Sequence, residues 1–552
     1  MTLQNKLPHD IVEDPDMGIV MPDGCRLSAR VWMPEDALEN PVPAILEYIP
    51  YRKRDGTLPR DELMHPYWAA RGYATVRVDI RGNGDSQGLM TDEYTAQELE
   101  DACDVIAWLA ARPWCTGAVG MMGKSWGGFN CLQTAFLQPP ALKAVISVCS
   151  TTDRFADDIH FKGGCLLGEN IGWGAVMLSF SSRPADPALR EDWREDWLNR
   201  LENEPFLAPL WARHQARDAY WKHGSVCEDF SALKVPVLSI GGWADNYMNT
   251  VNHLVSNLPG QAKGIVGPWV HQYPHSAVPG PKIGFLQEGL RWWDRWLKNT
   301  QNGVETDPPY RAYLLESAPP DACAAHRPGV WLAETEWPSD RTTDQTLYLG
   351  DKGLADTPTP LNAEVGTPQH LGMHAGEFFP VGLNGELPGD QRTDDALSAC
   401  FDTAPLDRPL ALVGAAGLHL TLRCDQPRAF VVARLCDVAP DGSSVRICHG
   451  MLNLCHRDSM ETPTEVPTDT AFDIRLTLDQ MAYRLAKGHR LRLALSTTYW
   501  PFVWPAAKPA RLRLDAGSLT LPVHPGAQKD EWQFEKAETA APWRHRVLRQ
   551  GS

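Results

Sequence analysis

The stretch of this chain best placed to do chemistry is Gly123-Lys124-Ser125-Trp126-Gly127-Gly128. It follows the apolar run Ala118-Val119-Gly120-Met121-Met122 and precedes a segment with helical spacing from Phe129 to Leu137. A Gly-x-Ser-x-Gly turn between strand and helix is a nucleophile elbow. The turn is too sharp for side chains at its flanking positions, and it leaves the serine hydroxyl exposed above the strand end. That hydroxyl is a poor nucleophile until a base accepts its proton, and the base needs a carboxylate to orient it. Glycine and serine are also common in plain turns, so the partners decide the matter.

The partners stand in the right order. The apolar run Val235 to Ile240 leads into Gly241-Gly242-Trp243-Ala244-Asp245, and Gly264-Ile265-Val266 leads into Gly267-Pro268-Trp269-Val270-His271. Ser125, Asp245 and His271 each lie just past a predicted strand, in the chain order of α/β-hydrolases. The competitors are less well placed. His275 lies further from the strand end, Asp153 and Asp157 follow the strand at 144–148, one strand too early, and Asp79 beside Arg81-Gly82-Asn83-Gly84 reads as a turn stabiliser. A developing oxyanion needs donors, and the backbone N–H after the nucleophile, that of Trp126, is one. An early strand leads into Ile49-Pro50-Tyr51, so the Tyr51 hydroxyl is either the second donor or an amphipathic rim group. Lys124 reads as a solvated or paired side chain. Cys448-His449 and Cys455-His456 lack a tight ligand spacing and read as strand packing, so neither a metal nor a cofactor is expected.

The elements that must hold these groups follow from periodicity. Strand patterns at Ala44–Tyr48, Ala74–Val78 and Ala144–Val148 alternate with helical patterns at Glu62–Arg71 and Ala96–Arg112, which predicts a largely parallel sheet covered by helices. Asp23-Gly24 marks a hairpin before them. From Thr151 to about Ser231 the rhythm gives way to Trp173, Trp193, Trp197, Trp211 and Trp221 among charged residues. This predicts short helices capping the site, the alternative being a helical pad remote from it. After a strong helix at Gly284–Asn299, alternating segments from Tyr310 to Leu521 predict a β-sandwich or jelly roll. The expected fold is therefore α/β: a hydrolase core at 1–150 and 232–309, a helical cap at 151–231, and a jelly roll at 310–552.

Composition bounds the rest. A chain of 552 residues exceeds one hydrophobic core. A net charge of −17 argues against nucleic acid or an anionic membrane as the main partner. No run approaches the ~18 apolar residues of a membrane span, and the N-terminus lacks the apolar stretch of a signal peptide. Thirteen scattered cysteines fit reduced thiols and a cytoplasmic setting.

Pro50-Tyr51, Asp79-x-Arg81-Gly82-x-Gly84-x-Ser86-x-Gly88, the elbow, Gly242-Trp243-Ala244-Asp245, Gly267-Pro268-Trp269-Val270-His271 and Asp437-Val438-Ala439-Pro440-Asp441-Gly442 together resemble the cocaine esterase/nonactate hydrolase (CocE/NonD) family, which is related to X-Pro dipeptidyl peptidases and α-amino acid ester hydrolases. The resemblance implies an acyl-enzyme hydrolase of a small ester or amide, with Ser125 as nucleophile and Asp245 and His271 as its relay. It also implies an oxyanion hole of the Tyr51 hydroxyl and the Trp126 N–H, and a homodimer. Tryptophan at 126 replaces a frequent tyrosine, which leaves the N–H and changes the pocket wall. The α-amino ester hydrolases carry carboxylates two and three positions past the catalytic aspartate. Tyr247 and Met248 stand there, which argues against that device, and Asp157, Asp158 and Glu169 are alternative carboxylates from the cap. Trp243, Tyr247, Trp269, Trp173 and His160 are the expected substrate pocket. The other readings are an X-Pro dipeptidyl peptidase, and a carbohydrate-binding module with a vestigial core.

Overall fold

The structure, a computed structural model, describes residues 9–540 and 545–548. The chain opens with a hairpin of β1 (Ile11–Val20) and β2 (Arg26–Pro34), whose turn contains the left-handed Gly24 (φ 86°). Then come β3 (Val42–Ile49), α1 (Leu58–Ala69), β4 (Ala74–Asp79), α2 (Ala96–Ala110), β5 (Cys115–Lys124), α3 (Trp126–Phe136) and β6 (Leu142–Val148). A short hairpin, β7 (Phe161–Lys162) with β8 (Cys165–Leu166), and the helices α4 (Glu169–Ser181), α5 (Trp193–Asn203), α6 (Ala208–Arg213) and α7 (Ala219–Lys222) stand before the sheet resumes. It resumes with β9 (Val237–Gly242), α8 (Asn249–Asn257), β10 (Ala262–Gly267), α9 (Phe285–Leu297), β11 (Tyr310–Glu316) and β12 (Gly329–Glu334).

Pairing sets the order β1-β2-β4-β3-β5-β6-β9-β10-β11-β12, parallel from β4 to β11. The inner strands are buried almost end to end, as in Val42–Ile49, because helices cover both faces. Chain order reverses about β3, so the loops after β3, β5, β9 and β10 open on one edge, where ligands of such sheets bind. These loops carry Tyr51, Ser125, Asp245 and His271.

Strand β11 belongs to two units. One end pairs with β10, and the other continues to Leu315, opposite Tyr483 of the strand Phe472–Leu485. That strand lies in an antiparallel sheet with Leu410–Cys424, Leu512–His524 and Thr343–Gly350. A second, four-stranded antiparallel sheet holds Ala399–Asp402, Arg490–Ser496, Phe430–Val438 and Ser444–Asn453. Alternation builds the layer between them: Leu418, Leu420, Leu422 and Cys424 point inward from one strand to meet Val431, Ala433 and Leu435 from the other sheet. Cys448 lies in this apolar layer, while its neighbour His449 turns to the opposite face and meets Asp479 at 3.3 Å. All thirteen cysteines are free thiols. Among the described residues no helix is long and apolar enough to cross a membrane.

Candidate active site

The elbow forms as its sequence requires. A side chain on Gly123 would meet the Gly127 backbone at 2.5 Å, and one on Gly127 would meet Ile49 at 2.8 Å. Ser125 sits at φ 59°, in the left-handed region that costs a non-glycine residue energy. Its carbonyl accepts from the N–H groups of Gly128 and Phe129, which start α3 immediately. Asp245 is held in a turn at the end of β9 by its N–H to the Gly242 carbonyl. Its Oδ1 lies 3.1 Å from Nδ1 of His271, and both side chains are buried. A carboxylate accepts, so Nδ1 carries the proton and Nε2 is left bare. Nε2 is buried without a hydrogen-bond partner among the described residues. Burial, helped by the Lys124 charge and opposed by Asp245, lowers the His271 pKa to about 4, so the imidazole is neutral near neutral pH and Nε2 has a free lone pair.

The Tyr51 phenol stands beside the Ser125 side chain and the Trp126 backbone N–H, and burial raises its pKa. The phenol O–H and the Trp126 N–H therefore converge beside Ser125. Bonds between serine and histidine in such sites often tighten only when substrate arrives. The Trp126 ring is fully buried, and its Nε1 donates to Glu98 Oε1 at 2.6 Å. Glu98 is the third residue of α2, and it also accepts from the Tyr94 N–H while Thr95 caps its own N–H. Burial pushes Glu98 up to about 7.

A small cavity of about 10 Å³ lies at Ser125, lined by Glu93, Tyr94, Asp158, Ile159, Trp173, Tyr247 and Phe379. Trp173 and Tyr247 line this cavity. Trp243 and Trp269 do not: Trp243 donates to the Tyr313 carbonyl, and Trp269 donates to the Pro281 carbonyl and packs on Trp331. Position beside a strand end says nothing about which way an indole turns. His160 stands one layer back, with Nε2 2.8 Å from Glu93 and Nδ1 3.0 Å from Asn170.

Four wall residues escaped the sequence reading, one of them Ile159, the neighbour of Asp158. Glu93 and Tyr94 lie in the loop before α2, with no motif to mark them. Phe379 comes from the loop before Ala399–Asp402, and its ring centroid is 4.1 Å from that of His271. The next residue, Pro380, accepts the His271 N–H at 3.0 Å. Of the cap carboxylates, Asp158 reaches the cavity; Asp157 pairs with Lys162, and Glu169 is half-buried at the start of α4. Glu93 would be raised by burial, but His160 and Arg154 hold it down at about 2. Asp158 is pushed up by burial and by Glu93, against the pull of His160. Its Oδ1 accepts from Tyr247 and from the Ile159 N–H, while Oδ2 is buried without a partner.

The competing residues have other occupations. Asp79 accepts from the Lys53 and Asp85 N–H groups, Asp153 caps Phe155 and Ala156 and binds Arg217, and His275 stacks on Phe285. Among the described residues three buried groups bring ligand-type atoms within 4.8 Å of one another: Cys149-Asp245-His271, Glu47-Asp61-His65 and Glu93-Asp158-His160. Each has a basic side chain against it (Lys124, Arg60 and Arg154 respectively), which supplies the positive charge the carboxylates need.

The family profile of X-Pro dipeptidyl-peptidase (S15 family) matches residues 23–273, and that of the X-Pro dipeptidyl-peptidase C-terminal non-catalytic domain matches residues 302–551. Cocaine esterase of Rhodococcus sp. (strain MB1 Bresler) is 25% identical, over 88% of this chain and 90% of its own. A CocE/NonD family hydrolase from Staphylococcus aureus superposes with a TM-score of 0.73 at 16% identity, covering 95% of this chain and 99% of that one. An α-amino acid ester hydrolase superposes with a TM-score of 0.73 at 20% identity, covering 95% and 98%.

Proposed function

The chain belongs to the CocE/NonD family of serine hydrolases, and on that footing we propose that it cleaves carboxylic esters of small acyl groups through an acyl-enzyme on Ser125. What supports the reading is the placement of Ser125, Asp245 and His271 just past neighbouring parallel strands, the Asp245–His271 contact that leaves Nε2 bare, and the Tyr51 phenol beside Ser125 and the Trp126 N–H. His271 takes the serine proton as Oγ attacks the carbonyl, and Asp245 holds the imidazolium that forms. The phenol and the N–H receive the oxyanion. The imidazolium protonates the departing alkoxide, and water enters by the same steps in reverse roles. At about 10 Å³ the cavity has room for a water-sized group, far below the ~300–1,000 Å³ of drug-sized ligand sites, which favours a short acyl group with the leaving group outside.

A second feature narrows the substrate. Glu93 is committed to His160 and Arg154, so the free Oδ2 of Asp158 is the open acceptor of the cavity. A buried acceptor without a partner favours a substrate that brings a donor, such as an amine. Amide cleavage, as the names of the peptidase relatives suggest, is the runner-up, while a carbohydrate-binding module with a vestigial core is not favoured. The reading includes the division at 150/151, 231/232 and 309/310, a cytoplasmic setting supported by the free thiols, and a homodimer testable by light scattering. The deciding experiment compares kcat/KM for acetyl, hexanoyl, propionyl and alanyl p-nitrophenyl esters with an X-Pro p-nitroanilide. Acetyl should exceed hexanoyl, and alanyl should exceed propionyl in the wild type but not in Asp158→Asn. An anilide turned over better than every ester would make the protein a peptidase instead.

A further inference from the structure

Lys124 stands inside the elbow, and no step above uses it. It ends β5 half-buried, and its Nζ donates to the backbone carbonyl of His271 at 3.0 Å. Among the described residues it forms no ion pair with a carboxylate. The groups around it are the Cys149 thiol after β6, Asp245 after β9, Arg60 on α1 and Glu47 on β3. His271 is thus tethered on both sides of its backbone, by its N–H to Pro380 and by its carbonyl to Lys124. Its ring meets Asp245 and two uncharged rings, Phe379 at 4.1 Å and Tyr247 at 5.7 Å between centroids. An ammonium with one carbonyl partner is a costly arrangement that a methionine of similar length would avoid.

We propose that Lys124 is a positioning residue for the catalytic base: its N–H fixes the backbone of His271, and its charge keeps the imidazole neutral and turned toward Ser125. This rests on the reading of His271 as the base. Burial lowers the lysine to about 8, so it is largely charged at neutral pH. A positive charge disfavours a second one on the imidazole, so removing it raises the His271 pKa. The acidic limb of kcat/KM must then move to higher pH.

Three variants separate charge from hydrogen bond. Lys124→Arg keeps both, Lys124→Gln keeps a donor without charge, and Lys124→Met has neither. With p-nitrophenyl acetate, the acidic limb is expected to rise by ~0.5–1 pH unit in the Gln and Met variants and to stay in place in Arg. kcat at pH 8 is expected to fall ~5–10-fold in Met alone, with KM within about twofold of wild type. An acidic limb at one pH in all three overturns the proposal, as does a kcat that follows melting temperature instead of this order. If the Met variant does not fold, the limb in the Gln and Arg variants decides. A wild type without an acidic limb attributable to one base would instead undo the assignment of His271.

Discussion

Tyr51 is the residue whose role rests most on its surroundings. From the sequence its phenol was equally a rim group. In the structure it lies against Trp173 and Phe180 of α4, beside Ser125 and the Trp126 N–H. An oxyanion donor acts in the transition state and little in the ground state, so Tyr51→Phe is expected to lower kcat by ~10²-fold and leave KM nearly unchanged. A variant as fast as wild type would return Tyr51 to the rim. The Trp126 indole is locked on Glu98 and packs against Tyr94 and Trp173. The order Ser125, Asp245, His271 was legible because it follows from topology: each residue sits where a parallel strand ends. The directions of Trp243 and Trp269 were not, since they depend on carbonyls that only the folded chain brings near.

At the scale of elements, the loop from 376 to 389 matters most. It leaves the strand-rich C-terminal half, and Glu386 stiffens it by accepting from the N–H groups of Val381, Gly382 and Leu383 at 2.7–2.9 Å. It thereby sets Phe379 on the His271 ring and closes the cavity. Truncating that wall enlarges the acyl site. Phe379→Ala is expected to shift the hexanoyl-to-acetyl ratio of kcat/KM toward hexanoyl by ~10-fold or more, as steady-state kinetics would read it. An unchanged ratio would place the acyl group elsewhere. Strands and helices could be read from periods of two and of 3.6, and the alternation of the later strands announced two packed sheets. Phe379, Glu93 and Asp158 could not, because loops carry no period and long-range packing decides what they face.

The molecule as a whole encloses Ser125 from three directions. The parallel sheet supplies Ser125, Asp245 and His271, the segment between β6 and β9 supplies Asp158, Ile159 and Trp173, and the C-terminal half supplies Phe379. The three parts are pinned together nearby. Asn249 of α8 donates to Asp157 and to Asp479, Lys162 also binds Asp479 at 2.8 Å, and β11 makes the two sheets continuous. The C-terminal half thus shapes a site to which it brings no reacting group. Everything above depends on one serine carrying the acyl group. The most direct test treats full-length wild type and Ser125→Ala with a fluorophosphonate, maps the adduct by mass spectrometry, and measures p-nitrophenyl acetate turnover in parallel. The expected result is one adduct on the peptide containing Ser125, none on the variant, and a kcat lower by ~10⁴-fold or more. A Ser125→Ala protein that still labels and turns over substrate at the ordinary rate would contradict the account.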